Sequence, residues 1–313
     1  MLKGNKGEWS EIYTLLKIIS DRNLFAGDSD LNKIENLLFP IIKVIRDESN
    51  GAYQYSYDSD LVVIKGNEKE FRISINEFRE KAAFLLSKLK ESTSSTFSIP
   101  EIENFINSFN SESLKAKSSV KSDIRVVIHD QRTGTTPELG FSIKSQLGKP
   151  STLFNSSQGS NFIYKIENVV LTDREAKEIN SIDSRSKIQD RVKAIINKGA
   201  ILTFVQNEGE IFQNNLTLID GFLPNILSEI LTIFSSTTLN KLGKLVDEIE
   251  KRNPLKFDTR NNHKFYSYKV KRLLTDIALG MVPTTVWTGT LDATGGYLVV
   301  KDDGEILCYH IYN

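Results

Sequence analysis

The sequence predicts an α/β protein in which a β-sheet is covered by helices. Three observations predict it: a β-branched hairpin in the middle of the chain, helical stretches before and after it, and a second hairpin at the end. Strands separated by helical segments bury their apolar faces best as a sheet with helices packed on it.

Each element follows from a local pattern. Residues 8–19 have helical periodicity, with Trp9, Ile12, Tyr13, Leu16 and Ile19 on one broad face. Residues 32–46 (NKIENLLFPIIKVIR) are apolar and read as helix interrupted at Pro40. Residues 53–64 alternate in part and read as strand, with Gly66 and Asn67 nearby as turn formers. Residues 74–90 predict a helix opened by a Ser74 cap, with Glu77 three positions on. A Ser/Thr-rich loop over 91–98 leads to a short helix over 100–109, and residues 111–122 are polar and basic. The central hairpin comprises a strand over 123–130 (DIRVVIHD), a turn over 131–137 (QRTGTTP) and a strand over 139–145 (LGFSIKS). Beyond it the patterns give a strand within 158–170, a polar helical stretch over 172–197 ending at Gly199, and a buried strand over 200–205. Residues 223–235 and 239–251 read as two helices. Residues 296–301 and 305–311 form a hairpin around Asp303-Gly304.

Composition narrows the function. The 313 residues are enough to bury a sizeable core, and 26% charged with 39% hydrophobic residues is ordinary for a globular protein. Forty basic residues balance forty acidic ones, so no global charge draws the chain to nucleic acid or membrane; a local basic groove stays open. The single Cys308 rules out an internal disulfide and a multi-cysteine zinc site, and fits a reducing cytoplasm. No apolar run approaches the roughly 20 residues that span a bilayer, and the start lacks the apolar centre of a signal peptide. Neither a phosphate-binding Gly-rich loop with Lys-Ser/Thr nor a Gly-x-Ser-x-Gly elbow is present, which removes support for kinase, dinucleotide-binding and simple hydrolase readings.

The chemistry concentrates in the central hairpin. A turn centred near Gly134 puts Asp123 opposite Lys144 and Asp130 near Pro137. Seven residues of strand separate Asp130 from Asp123 by roughly 23 Å. Asp123 is therefore the better metal ligand, although Asp130 is the acid nearer in sequence to the lysine. Alternation sets Ser142, Lys144 and Gln146 on one face and Phe141, Ile143 and Leu147 on the other. A carboxylate beside a lysine is the core of many Mg²⁺-dependent DNA-cutting sites; a cross-strand ion pair on a solvated face is the plainer account of the same pattern.

Two further features carry less. Residues 256–272 gather Lys256, Arg260, His263, Lys264, Lys269, Lys271 and Arg272 with Phe257, Phe265, Tyr266 and Tyr268. They could face a nucleic-acid backbone, or form a solvated helix with its aromatics in a core. His263 has no companion histidine at ligand spacing, and His129 lies on a strand as an ordinary hydrogen-bonding residue.

Three blocks carry a resemblance: the opening KGEWSE, the hairpin with GFSIKSQLG, and the following PSTLFNSS and SNFIY. In these the chain resembles the HpaII family of type II restriction endonucleases, from the N-terminus to the final GGYLVVKDDGEILCYHIYN. The resemblance implies a restriction-endonuclease-like PD-(D/E)XK fold, a mixed β-sheet flanked by helices. It also implies one endonuclease domain over 1–313, with a catalytic core about 1–210 and a DNA-binding, helical and hairpin subregion about 211–313. The implied activity is Mg²⁺-dependent cleavage of double-stranded DNA at a short palindrome, CCGG by the family name. The partners it brings are a companion methyltransferase and a possible homodimer.

In that fold a helix near the N-terminus often supplies an acid four residues after a glycine. Gly7 and Glu11 have that spacing, with Glu8 as runner-up and first-turn acids favoured by the helix dipole as the bland alternative. The place of the acid in the (D/E)-x-K motif holds Ser142, so the ion would rely on Asp123, the Ile143 carbonyl, waters and Glu11. Base recognition falls to Gln146, to Asn155, Gln158 and Asn161 in the loop 149–161, and to Arg132 and Lys149 by position. Two alternatives stay open: a repair or junction-processing nuclease of the same fold, and a DNA-binding relative without catalysis.

Overall fold

The computed structural model describes residues 2–48, 51–109, 111, 114, 122–148 and 157–310. Two compact units emerge, one of Met1–Thr152, Ala278–Gly280 and Leu291–Asn313, the other of Leu153–Ile277 and Met281–Thr290.

In the first unit, α1 (Lys6–Asp21) starts on Asn5, whose side chain accepts from Glu8 N while Glu8 accepts from Asn5 N in a capping box. Its predicted face, Trp9, Ile12, Tyr13, Leu16 and Ile19, is buried. Strand β1 (Asn23–Gly27) follows, then β2 (Lys33–Glu48). The helix expected over 32–46 is thus a 16-residue strand. Periodicity cannot separate a buried helix from a buried strand in a run this apolar. Pro40 sits where β2 changes partner from β1 to β6, beside a register irregularity between Ile41 and Lys43, a place where a strand tolerates proline.

The strand expected over 53–64 is a hairpin of β3 (Gly51–Asp58) and β4 (Leu61–Gly66), and β5 (Lys69–Ser74) follows. Asn67 and Glu68 both take positive φ, which makes the tight β4–β5 turn. Helix α2 (Ile75–Glu91) opens on Ser74, which accepts from Asn76 N, and α3 (Pro100–Asn107) starts at its proline. Most of the polar stretch 111–122 lies outside the described residues. The central hairpin is β6 (Ile124–Ile128) and β7 (Glu138–Ser145).

The second unit contains a short 3₁₀ turn (Gln158–Ser160), β8 (Phe162–Glu167), α4 (Asp173–Asn180), α5 (Lys187–Ile196) and β9 (Ile201–Asn207). It continues with α6 (Glu210–Ile219), α7 (Leu223–Ser236), α8 (Leu242–Arg252) and α9 (Phe265–Leu279). The single helical stretch expected over 172–197 is two helices. The strand at 200–205 is only half covered: Leu202 and Phe204 face inward, while Ile201 and Val205 are 53% and 55% exposed. Helix α6 had no sequence counterpart. Phe257 and Tyr266 belong to an apolar cluster with Ile226, Ile230 and Ile249.

The closing hairpin, β10 (Gly296–Val300) and β11 (Ile306–Tyr309), belongs to the first unit. Among the described residues nine strands form one sheet in the order β1-β11-β10-β7-β6-β2-β3-β4-β5, and β1 also pairs with β2. The first six therefore close into a ring, with β3-β4-β5 as an extension. The β10–β7 and β1–β11 pairs are parallel and the rest antiparallel. The chain is a mixed α/β protein, as expected; the ring closure was not.

The core lies under one face of this sheet. Ile124, Val126 and Ile128 of β6, Phe141 of β7 and Leu298 of β10 pack with Trp9, Ile12 and Leu16 of α1 and Phe78 and Leu85 of α2. Each such fully buried side chain contributes about 1.5–3 kcal/mol. Lys144 on β7 and Asp123, the residue just before β6, stand on the opposite face. Among the described residues no single helix is long and apolar enough to cross a membrane.

Candidate active site

The hairpin register is two residues tighter than the spacing suggested. Ile124 lies opposite Phe141 and Arg125 opposite Gly140, so Asp123 is not paired with Lys144. The cause is the turn. Asp130 accepts Arg132 N and Thr133 Oγ1 on its carboxylate and Gly134 N on its carbonyl, and bridges to Thr135. Gly134, at φ 69°, ends this turn and does not centre it. A shift by two preserves the face of every side chain.

Asp123 consequently meets the next two residues. Its N–H donates to the Phe141 carbonyl at 2.8 Å. Its Oδ2 accepts the Ile143 N–H at 2.6 Å and the Ser142 hydroxyl at 3.2 Å. Ser142 is 2% exposed, so its hydroxyl contact with the carboxylate is shielded from water. The strand can come this close because residue 140 is glycine: a Cβ there would strike the Asp292 carbonyl oxygen and lie 2.9 Å from Ser122 Cβ. Lys144, two residues beyond Ser142, projects from the same face. Its ammonium lies 5.7 Å from the centre of the Tyr297 ring, and Tyr297 pairs with Ser142 on β10.

Helix α1 is tied to this strand by Ser10, whose hydroxyl lies 2.9 Å from Ser145 Oγ. Glu11 follows on the helix and is half-buried. Glu8 has a local task, closing the capping box of α1. Asp130 has one too: the Arg132 amide and the Thr133 hydroxyl hold its carboxyl below the usual carboxylate range.

The predicted base readers are spread. Arg132 is exposed in the turn at the far end of the hairpin, and Gln146 is exposed just past β7, its N–H bonded to the Val300 carbonyl. Lys149 and Asn155 lie outside the described residues. In the second unit the Asn161 and Gln158 amides both donate to Glu208, at 2.9 and 2.5 Å. Within 256–272, Arg260 pairs with Asp258, Lys269 with Asp220 and Arg272 with Asp276. Tyr266 is buried and Tyr268 is 69% exposed. His263 stands against Phe265. Sequence reasoning did not single out Tyr297, Asp292 or Glu208, because only the long-range strand order brings the first two beside the hairpin.

Among the described residues no group of three or more His, Cys, Asp or Glu is arranged to hold a metal ion. Any ion at Asp123 would therefore depend on backbone carbonyl oxygen and water as much as on side chains.

The chain matches the family model described as HpaII restriction endonuclease over residues 5–313. The type II restriction enzyme HpaII of Haemophilus parainfluenzae is 48% identical over 315 residues, covering 99% of this chain and 86% of that protein. No solved structure matches.

Proposed function

The chain belongs to the HpaII restriction endonuclease family and is a type II restriction endonuclease acting on double-stranded DNA; from that premise we propose that it hydrolyses a short palindrome, CCGG, in a Mg²⁺-dependent reaction. The proposed site is Asp123 with Lys144, on a restriction-endonuclease-like core. The observation that carries the reading is the Asp123 carboxylate locked by Ser142 Oγ and Ile143 N on the face from which Lys144 projects.

By donor type the proposed ligands would suit a hard cation. Asp123, the Ile143 carbonyl and Glu11 offer oxygen only, and Mg²⁺ keeps several of its own waters in such sites. When bound, the ion supplies charge neutralisation at the phosphate and a more acidic water. Ser142, in the place of the usual acid, orients the Asp123 carboxylate through its buried hydroxyl. Lys144 donates to the attacking water and to the phosphoryl oxygens as their charge grows. The water oxygen forms its bond to phosphorus in line as the bond to the 3′ oxygen breaks; the attacking water gives its proton to bulk water and the leaving 3′ oxygen takes one from solvent, giving a 5′-phosphate and a 3′-hydroxyl.

Gln146, Arg132, Lys149, Asn155 and Asn161 are the proposed base and backbone contacts. A two-fold recognition sequence is matched by a homodimer. A companion methyltransferase protects the same sequence in the cytoplasm of the host.

Digestion of plasmid DNA with Mg²⁺ tests the reading. The parent protein should give discrete bands, and Asp123→Ala and Lys144→Ala should each abolish cutting while leaving the fold and part of the DNA affinity. Full cleavage by either variant refutes the site.

A further inference from the structure

We infer that Tyr297 is a positioning residue for Lys144, holding the lysine ammonium against its ring by a cation–π contact on the face that carries Asp123. The inference rests on the proposed role of Lys144 and names the group that aims it.

The placement comes from strand order. Strand β10 runs parallel to β7, with Tyr297 opposite Ser142 and Val299 opposite Lys144. Ring, hydroxyl and lysine stem thus share one face. The ammonium is 5.7 Å from the ring centre, inside the roughly 6 Å over which the negative face of a ring attracts a cation.

The two residues before Tyr297 are built for this approach. A Cβ on Gly295 would lie 2.6 Å from Phe141 Cζ, and one on Gly296, at φ 99°, would strike the Tyr309 carbonyl oxygen. Only glycines let β10 settle against both neighbours. The Tyr297 hydroxyl is shut away from solvent with no hydrogen-bond partner among the described residues. Burial pushes the phenol up to about 12, so it stays neutral at working pH. With no partner for the hydroxyl among the described residues, the ring is the part of this side chain that meets Lys144. A lysine stem is flexible, and a ring that restrains it removes part of the entropy lost when the ammonium is brought to the reacting phosphate.

The experiment compares Tyr297→Phe, which keeps the ring, with Tyr297→Leu, which removes it, in the full chain. Single-turnover cleavage of duplex DNA should slow roughly three- to tenfold in Tyr297→Leu and return to the parental rate in Tyr297→Phe. Duplex affinity should be that of the parent in both, and cleavage is measured well below the Tm of Tyr297→Leu so that lost packing does not enter the rate. Independently of activity, the Lys144 ε-methylene protons of the metal-free parent should show an upfield ring-current shift that Tyr297→Leu abolishes. An unshifted Lys144 in the parent overturns the inference without any variant. So does parental cutting by Tyr297→Leu, or a Tyr297→Phe variant as slow as Tyr297→Leu, which would assign the effect to the hydroxyl. Lys144→Ala, run alongside, separates the two ideas. If it cuts normally the role of Lys144 falls, while the ring-current shift still reports whether Tyr297 holds it.

Discussion

Two aspartates on one hairpin, Asp123 and Asp130, show how environment divides roles at the scale of the residue. Asp130 spends its oxygens on the turn it opens, while Asp123 reaches over the backbone of the next strand to Ser142 and Ile143. Asp130→Ala should therefore leave plasmid cutting within a few-fold of the parent and lower Tm slightly. A dead Asp130→Ala beside an active Asp123→Ala would exchange their roles. The pH behaviour of Asp130 has a definite sign. The Arg132 amide and Thr133 hydroxyl favour its charged form, so its carboxyl titrates lower in the folded chain than in the unfolded one. Its contribution to the turn is present above the unfolded value and fades as pH falls through the lowered folded one. A carboxyl titration followed by NMR would check it, and an Asp130 titrating at or above the unfolded value would contradict the hydrogen bonding.

At the scale of the element, legibility followed how local the determinants are. Helix α1 was readable because its cap, its apolar face and its length all lie within 16 consecutive residues. So were α2, whose cap was named, and the two hairpins that bracket the site. Strand β2 reads as helix because a run this apolar carries no alternation to mark it as strand, and one of the two faces of its pairing is made by β6, about 80 residues away, which nothing inside residues 32–46 declares. The register of β6 and β7 slipped by two because Asp130, not Gly134, organises the turn; composition locates a turn but not its hydrogen bonds. Gly140 is the position where the element is most sensitive. Gly140→Ala would drive a methyl into the Asp292 carbonyl and against Ser122, next to Asp123. It should cost about 1–3 kcal/mol and most of the cutting activity, read by denaturant midpoint and plasmid digestion. A variant as stable and active as the parent would mean that β7 does not approach its neighbours this closely.

Taken whole, the molecule must hold a polyanion without any excess of positive charge, since its 40 basic and 40 acidic residues cancel. Local surfaces have to supply the attraction, and the strength of binding should then follow the number of phosphates they neutralise. The basic and aromatic segment 256–272 shows how composition overstates such a surface. Phe257 and Tyr266 pack into a core, and Arg260, Lys269 and Arg272 are matched by acids of the chain. Arg260 and Arg272 face solvent inside their ion pairs, and the exposed lysines with no ion pair among the described residues are Lys256, Lys264 and Lys271, beside the exposed ring of Tyr268. If these lysines lie along the DNA backbone, changing all three to glutamine weakens binding to every duplex alike and flattens the plot of log affinity against log salt by up to about three. Preference for the proposed CCGG sequence and the single-turnover rate at saturating enzyme should not change, because phosphate contacts position the duplex while base contacts specify it. A triple variant with the parental salt slope would remove this segment from the DNA-binding surface. The attraction would then have to come from other lysines and arginines, with Arg132 beside the turn the first to replace.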